Sequence, residues 1–268
     1  MKKLSLLAIA FAAIALASCG NKASSNASDE DTIVKTFEQE QLEEAVKMNL
    51  DSIANAISEK KFTPLSQALN NGKITLTDEE KKEAPTYLIE PSIADALQTI
   101  SQKYAALIML YTDKGVAELY GMNTGDYDKA IKKLAADIND PALENVDDSK
   151  PFNETEKQIY ADMEKNGRIN FFWIASCAAT VENLYIASMN ADKFLQGYDD
   201  EAVASLSYRI VLLLDAFDRL SVYDAEIQGV ADAIQPLKKI NAITVSELKK
   251  ELEEVKEELA ISRKALIE

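Results

Sequence analysis

Residues 168–190, RINFFWIASCAATVENLYIASMN, form the most hydrophobic stretch of the chain after its N-terminal leader, and their reading decides the fold. Phe171, Phe172 and Trp173 are consecutive. At about 100° per residue, three neighbours span roughly 200° of a helix surface. They cannot all face one partner, so the helix is apolar nearly all round and belongs at the centre of a bundle. The competing use of such a triplet is a stacking platform, which makes Phe171, Phe172 and Trp173 the candidate binding groove for a peptide or glycan. Cys177 lies in Ala175-Ser176-Cys177-Ala178-Ala179, a run of small residues suited to close helix packing. A buried cysteine behaves as a small hydrophobe, and no histidine or basic neighbour stands by to activate it.

Outward from this stretch, the chain reads as helices throughout. It has only 8 glycines and 6 prolines, most at the edges of periodic segments, and almost no stretch alternates with a period of two. Leu42, Val46, Leu50, Ile53 and Ile57 form a first helical stripe, and Thr63-Pro64 opens a short helix that Gly72 closes. A polar connector from Lys73 to Pro91 carries one helical turn after Thr77. Ile93, Leu97, Ile100, Tyr104, Leu107 and Tyr111 mark a long helix continuing to Gly121, and Thr124 caps a shorter one reaching about Ile138. Asn153 and Glu156 have capping-box spacing for a helix that stops at Asn166-Gly167.

Downstream, Val203, Leu206, Ile210, Leu213, Phe217 and Leu220 give another clear face. A shorter helix begins near Asp224 and is interrupted by Pro236. Thr244 and Glu247 form a capping box for a last helix repeating Val245, Leu248, Leu252, Val255, Leu259 and Leu266. It spans barely three heptads, so docking on the body is expected in preference to a coiled-coil arm. The expected fold is all-α, an antiparallel helical bundle or an irregular helical array. Tetratricopeptide-like hairpins are a variant of it: Gly125-Asp126-Tyr127-Asp128-Lys129-Ala130 resembles the second helix of that repeat. No second copy follows about 34 residues on, and stable solenoids need about three.

Charged residues inside the apolar helices need partners. If the helix holding Trp173 and the helix holding Phe217 form an antiparallel hairpin centred near Leu195 and Gln196, Glu182 falls opposite Arg209 and Arg168 near Asp224. These are the expected structural ion pairs. An arginine-held carboxylate is poorly suited to act as a general acid.

The N-terminus carries an address. Lys2 and Lys3 precede an apolar, small-residue stretch from Leu4 to Ala17, the size of a signal-peptide core and short of the roughly 20 residues that span a bilayer. It ends in Leu16-Ala17-Ser18-Cys19-Gly20, which resembles the lipobox of bacterial lipoproteins. That resemblance implies removal of residues 1–18 and acylation of Cys19, with two or three chains making a lasting anchor. The polar residues 19–31 read as a flexible tether, and residues 32–268 as a single α-helical domain. Gly20 is not the aspartate that retains enteric lipoproteins at the inner membrane, so an outer-membrane location is expected. Ser28-Asp29-Glu30-Asp31 resembles the acidic export tags of surface lipoproteins, although those sit closer to the cysteine; a plain solvated tether is the other reading.

Composition narrows the chemistry. The net charge is −16, and loss of the leader, which contains two lysines and no acid, makes it −18. Such a field repels phosphate backbones, which argues against a nucleic-acid partner. There is no histidine in the chain, which removes Ser-His-Asp and Cys-His catalysis and histidine zinc ligands. With Cys19 acylated, Cys177 has no intramolecular disulfide partner. Phosphate-binding and nucleophile-elbow motifs are missing. The clusters Asp147-Asp148 and Asp199-Asp200-Glu201 lack the spacing of a calcium loop. No metal and no cofactor is expected.

Taken together, Leu110-Tyr111, Gly115-Val116, the run from Gly125 to Leu134, Asn166-Gly167-Arg168 and Val181-Glu182-Asn183-Leu184-Tyr185-Ile186-Ala187 resemble an all-helical lipoprotein family of Bacteroidota, over roughly residues 90–225. The resemblance implies a helical fold and an envelope address; the family brings no established activity or ligand. The expected function is that of a lipid-anchored, non-enzymatic cell-envelope protein acting by binding or scaffolding, with a protein partner in the envelope. The alternative is a helical-repeat module that binds a peptide or glycan at the outer membrane.

Overall fold

A computed structural model describes residues 44, 47–55, 74–144, 152–222 and 225–268. Among them, every regular element is helical. The all-α expectation holds, as a packed helical array. The long helices are α1 (Ile100–Leu119), α2 (Gly125–Ile138), α3 (Phe152–Lys165), α4 (Ile169–Met189), α5 (Asp200–Leu220), α6 (Ala225–Ala233) and α7 (Val245–Ile267). Residues 47–55 are also helical. Cys19, the tether, the Thr63-Pro64 helix and Asp224 lie outside the described residues.

α4 is the hub. α1 and the C-terminal α7 flank it over most of its length, while α3 and α5 meet it over shorter stretches. Being enclosed on several sides is what an all-round apolar helix requires, and Phe172, Trp173, Ile174, Cys177, Val181, Leu184 and Ile186 are all buried. Among the described residues, no helix is long and apolar enough to cross a membrane. The apolar surface of α4 is satisfied by protein.

Local chemistry sets the helix boundaries. Thr99 accepts a hydrogen bond from the Gln102 backbone N–H, and the Gln102 side chain accepts from the Thr99 N–H, a complete capping box that starts α1. The helix expected from Ile93 is therefore two pieces: Pro91–Asp95 forms a separate 3-10 turn, and the cap at Thr99 begins the chain's direction afresh. At the end of α3, Gly167 takes φ +69°. The Gly167 N–H then donates to Glu164 O at 3.0 Å and the Arg168 N–H to Met163 O at 2.7 Å, the paired bonds of a Schellman stop.

α3 begins at Phe152, which places Asn153 inside the helix, and Glu156 turns away to an arginine on α5. Glu156 of the expected capping box thus serves a long-range ion pair, which supplies a buried guanidinium with its counter-charge; the Asn153 side chain lies outside the described residues. The connector before α1 holds one turn, Glu80–Lys82. Lys193 at 2.8 Å, with the Thr77 backbone and hydroxyl, pulls the Glu80 carboxyl down to about 2.

α7 docks on the body. Its Leu248, Leu252, Val255, Leu259, Leu266 and Ile267 are buried, and the Thr244–Glu247 capping box is present in both directions. Asp200 Oδ1 accepts from the Val245 N–H at 2.8 Å, tying the starts of α5 and α7 together. Thr244→Ala removes a side-chain acceptor at the first turn and is expected to cost about 1 kcal/mol, read as a lower urea midpoint with an unchanged denaturant slope.

Candidate functional site

The most polar place in the interior is where α1, α4 and α7 meet. Arg263, on the buried face of α7, sends Nε to Glu182 Oε2 at 2.7 Å and Nη2 to Glu182 Oε1 at 2.7 Å, a bidentate grip. The same Nη2 reaches Asp113 Oδ2 of α1 at 3.0 Å, and Nη1 donates to the Tyr87 carbonyl at 2.6 Å. The Ile89 N–H also donates to Asp113 Oδ2, at 2.6 Å, and the Tyr127 hydroxyl donates to the Ile89 carbonyl at 3.0 Å. The guanidinium lies 4.5 Å from the Tyr185 ring centre, a cation–π contact. Asp113 and Glu182 are both 0 % exposed. One arginine thus binds two helices and the 87–89 segment to α7.

Glu182 is therefore paired with Arg263, not Arg209. A hairpin of sequence neighbours was expected, but α4 lies chiefly between α1 and α7, which come from far earlier and far later in the chain. Arg209 on α5 pairs with Glu156 on α3: Nη1 reaches Oε2 at 3.1 Å, and Nη2 contacts Oε1. Arg168 pairs with Asp140, 3.7 Å away; its expected partner, Asp224, lies outside the described residues. Its Nη1 also donates to the Ile138 carbonyl at 3.1 Å. Asp140 accepts from the Tyr104 hydroxyl and, through Oδ1, from the Ala142 N–H at 2.9 Å. Burial, then the Asp140 hydrogen bond, raises the Tyr104 phenol above its usual range.

The candidate groove is mostly core. Trp173 is 0 % exposed, packed edge-on against Tyr160 and Phe172, and Phe172 is buried beside it. Phe171, half-buried, stacks on Tyr104 at 4.8 Å between centroids and 9° between planes. Phe172 and Trp173 share Tyr160 as a neighbour inside the core, while Phe171 turns to Tyr104, so the three rings form no common open face for a ligand. Cys177 is buried, and burial pushes its thiol well above the usual range, which leaves it inert.

No family model, no curated protein and no solved structure matches this chain.

Among the described residues, no group of three or more His, Cys, Asp or Glu side chains is placed to hold a metal ion. Sequence reasoning missed Asp113 and Arg263 altogether, although both leave a trace. Asp113 interrupts the apolar face running from Leu110 to Val116 and Ala117, and Arg263 occupies the position between Leu259 and Leu266 on the buried stripe of α7. A charge on an apolar face announces a partner but does not say which.

Proposed function

We propose that this protein is a lipid-anchored cell-envelope component of the outer membrane that acts by binding or scaffolding rather than by catalysis. One observation carries the non-catalytic part. Among the described residues, the buried charged side chains Asp113, Asp140, Glu156, Glu182 and Arg209 are each committed to an ion pair joining separate elements. Groups spent on architecture in this way do not face a substrate. The anchor rests on Lys2-Lys3, the apolar stretch to Ala17 and Cys19 in its lipobox-like setting. The likeness to Bacteroidota helical lipoproteins supports the same address. Two or three acyl chains on Cys19 give the stable attachment that one would not. Binding then falls to the outer surface of the helical array, with its strongly acidic charge, and a protein partner in the envelope is part of the proposal.

Metabolic labelling with a palmitate analogue in a bacterial host tests the anchor. Wild type is expected to carry label and to fractionate with outer membranes, whereas Cys19→Ser loses the label and is released in soluble form. An unlabelled, soluble wild type would sink the proposal. Proximity labelling from the anchored protein in intact cells then identifies the partner and the membrane face.

A further inference from the structure

The cluster at the junction of α1, α4 and α7 has a charge imbalance. Two fully buried carboxyl groups, Asp113 and Glu182, share a single guanidinium, that of Arg263. The other groups facing them are Tyr87 from the segment before α1, Tyr127 from α2 and Tyr185 from α4, all neutral phenols. Glu90 lies further out and is exposed. With both carboxyls ionised, the site carries one uncompensated negative charge in a water-poor interior, which burial strongly disfavours. The oxygens are also unequally provided for. Both Glu182 oxygens and Asp113 Oδ2 accept hydrogen bonds, but Asp113 Oδ1 is buried and faces no donor. A buried oxygen without a donor becomes satisfied if it carries a proton itself, and the two carboxyl groups are brought together on one nitrogen, Arg263 Nη2, which reaches Asp113 Oδ2 at 3.0 Å and Glu182 Oε1 at 2.7 Å.

We propose that Asp113 and Glu182 share one proton, carried chiefly on Asp113, so that docking of the C-terminal helix through Arg263 is linked to proton uptake. The site is then neutral: one carboxylate, one guanidinium, one carboxylic acid. Loss of α7 would remove the guanidinium, admit water and release the proton. Burial, and then the neighbouring Glu182, pushes the Asp113 carboxyl well above its ordinary value of 3.8. For an acid raised in this way, the folded state binds the proton more tightly than the unfolded chain. Its stabilisation is complete below the ordinary carboxylate range and fades as pH climbs through the raised value. Across that window, one bound proton makes the unfolding constant rise about tenfold per pH unit.

The full mature chain with carbon-13 in its aspartate carboxyls tests this by NMR. One aspartate carboxyl is expected to stay protonated at neutral pH, and its signal should vanish in Asp113→Asn. Urea unfolding from about pH 5 to about pH 9 supplies the second reading. The wild type should lose stability relative to Asp113→Asn, whose amide keeps the acceptor for Ile89 without a titratable proton. If Asp113→Asn does not fold, the wild-type carboxyl titration decides alone. All aspartates ionised at neutral pH, or parallel pH profiles for wild type and variant, would overturn the shared proton.

Discussion

Arg263→Met should destabilise the protein by about 3–5 kcal/mol, because the substitution leaves the Glu182 carboxylate buried without its counter-charge. The loss has several parts. The bidentate bond to Glu182, the bond to Asp113, the bond to the Tyr87 carbonyl and the cation–π contact with Tyr185 all go at once. The stranded charge dominates, since an ion in low dielectric without a partner costs more than a lost neutral hydrogen bond. Adding Glu182→Met to the variant removes that charge, and the pair should recover a substantial part of the loss. Chemical unfolding followed by circular dichroism measures both steps as a double-mutant cycle. A single variant as stable as wild type would mean that Arg263 is not the guanidinium that neutralises this interior. Hydrogen exchange should show α7 opening first in the single variant, because Arg263 is its buried charged tie to α1 and α4.

Trp173→Ala should cost a similar amount, about 3–5 kcal/mol, by a different route. Its indole is fully enclosed at the start of the central helix and meets Tyr160 of α3 at 6.1 Å and Phe172 at 5.3 Å between ring centroids. Removing it opens a cavity among aromatic neighbours that are themselves held by other contacts, Tyr160 by Asp51 at 2.7 Å and by the edge of Phe172. Such a site collapses poorly, so the cavity persists and the cost lies toward the upper end for a core truncation. Thermal or urea unfolding measures it. A change below about 1 kcal/mol would mean that the site relaxes around the gap, which a binding-groove residue would do and a packed core residue would not.

The two substitutions probe parts of the molecule that differ in how legible they are in the sequence. Trp173 is legible. Three consecutive aromatic residues spread round a helix, and the flanking run of small residues with Cys177, require a helix surrounded by others. The structure provides those surroundings. The heptad-like face of α7 and the Thr244–Glu247 cap could likewise be read directly, because both are relations between residues three or four apart that no distant contact needs to approve. The cap at Thr99 has the same local character, yet the periodic stripe through Ile93 and Leu97 hides it.

Arg263 and Asp113 are legible only as anomalies. That Glu182, Arg168 and Arg209 need counter-charges follows from their positions on apolar faces. Which counter-charges they receive does not, because pairing depends on which helices become neighbours. The nearest-neighbour hairpin is a reasonable guess when loops are short. Here α4 is flanked chiefly by α1 and α7, and a short helix, Ala191–Phe194, with Phe194 buried, stands between α4 and α5 in the chain. The C-terminal helix then takes the flank of α4 that a simple hairpin would have filled.

The stretch 168–190 thus determined by itself that the protein is helical and that one helix lies at its centre. Composition and the N-terminal pattern set the expectation of an anchored, histidine-free domain with little catalytic chemistry. Only the tertiary structure decided that Glu182 answers to Arg263, Arg168 to Asp140 and Arg209 to Glu156. Helix formation depends on neighbours within one or two turns of the chain. Charge pairing in a bundle depends on contacts 28, 53 and 81 residues apart for Arg168, Arg209 and Arg263, and no local pattern encodes such distances.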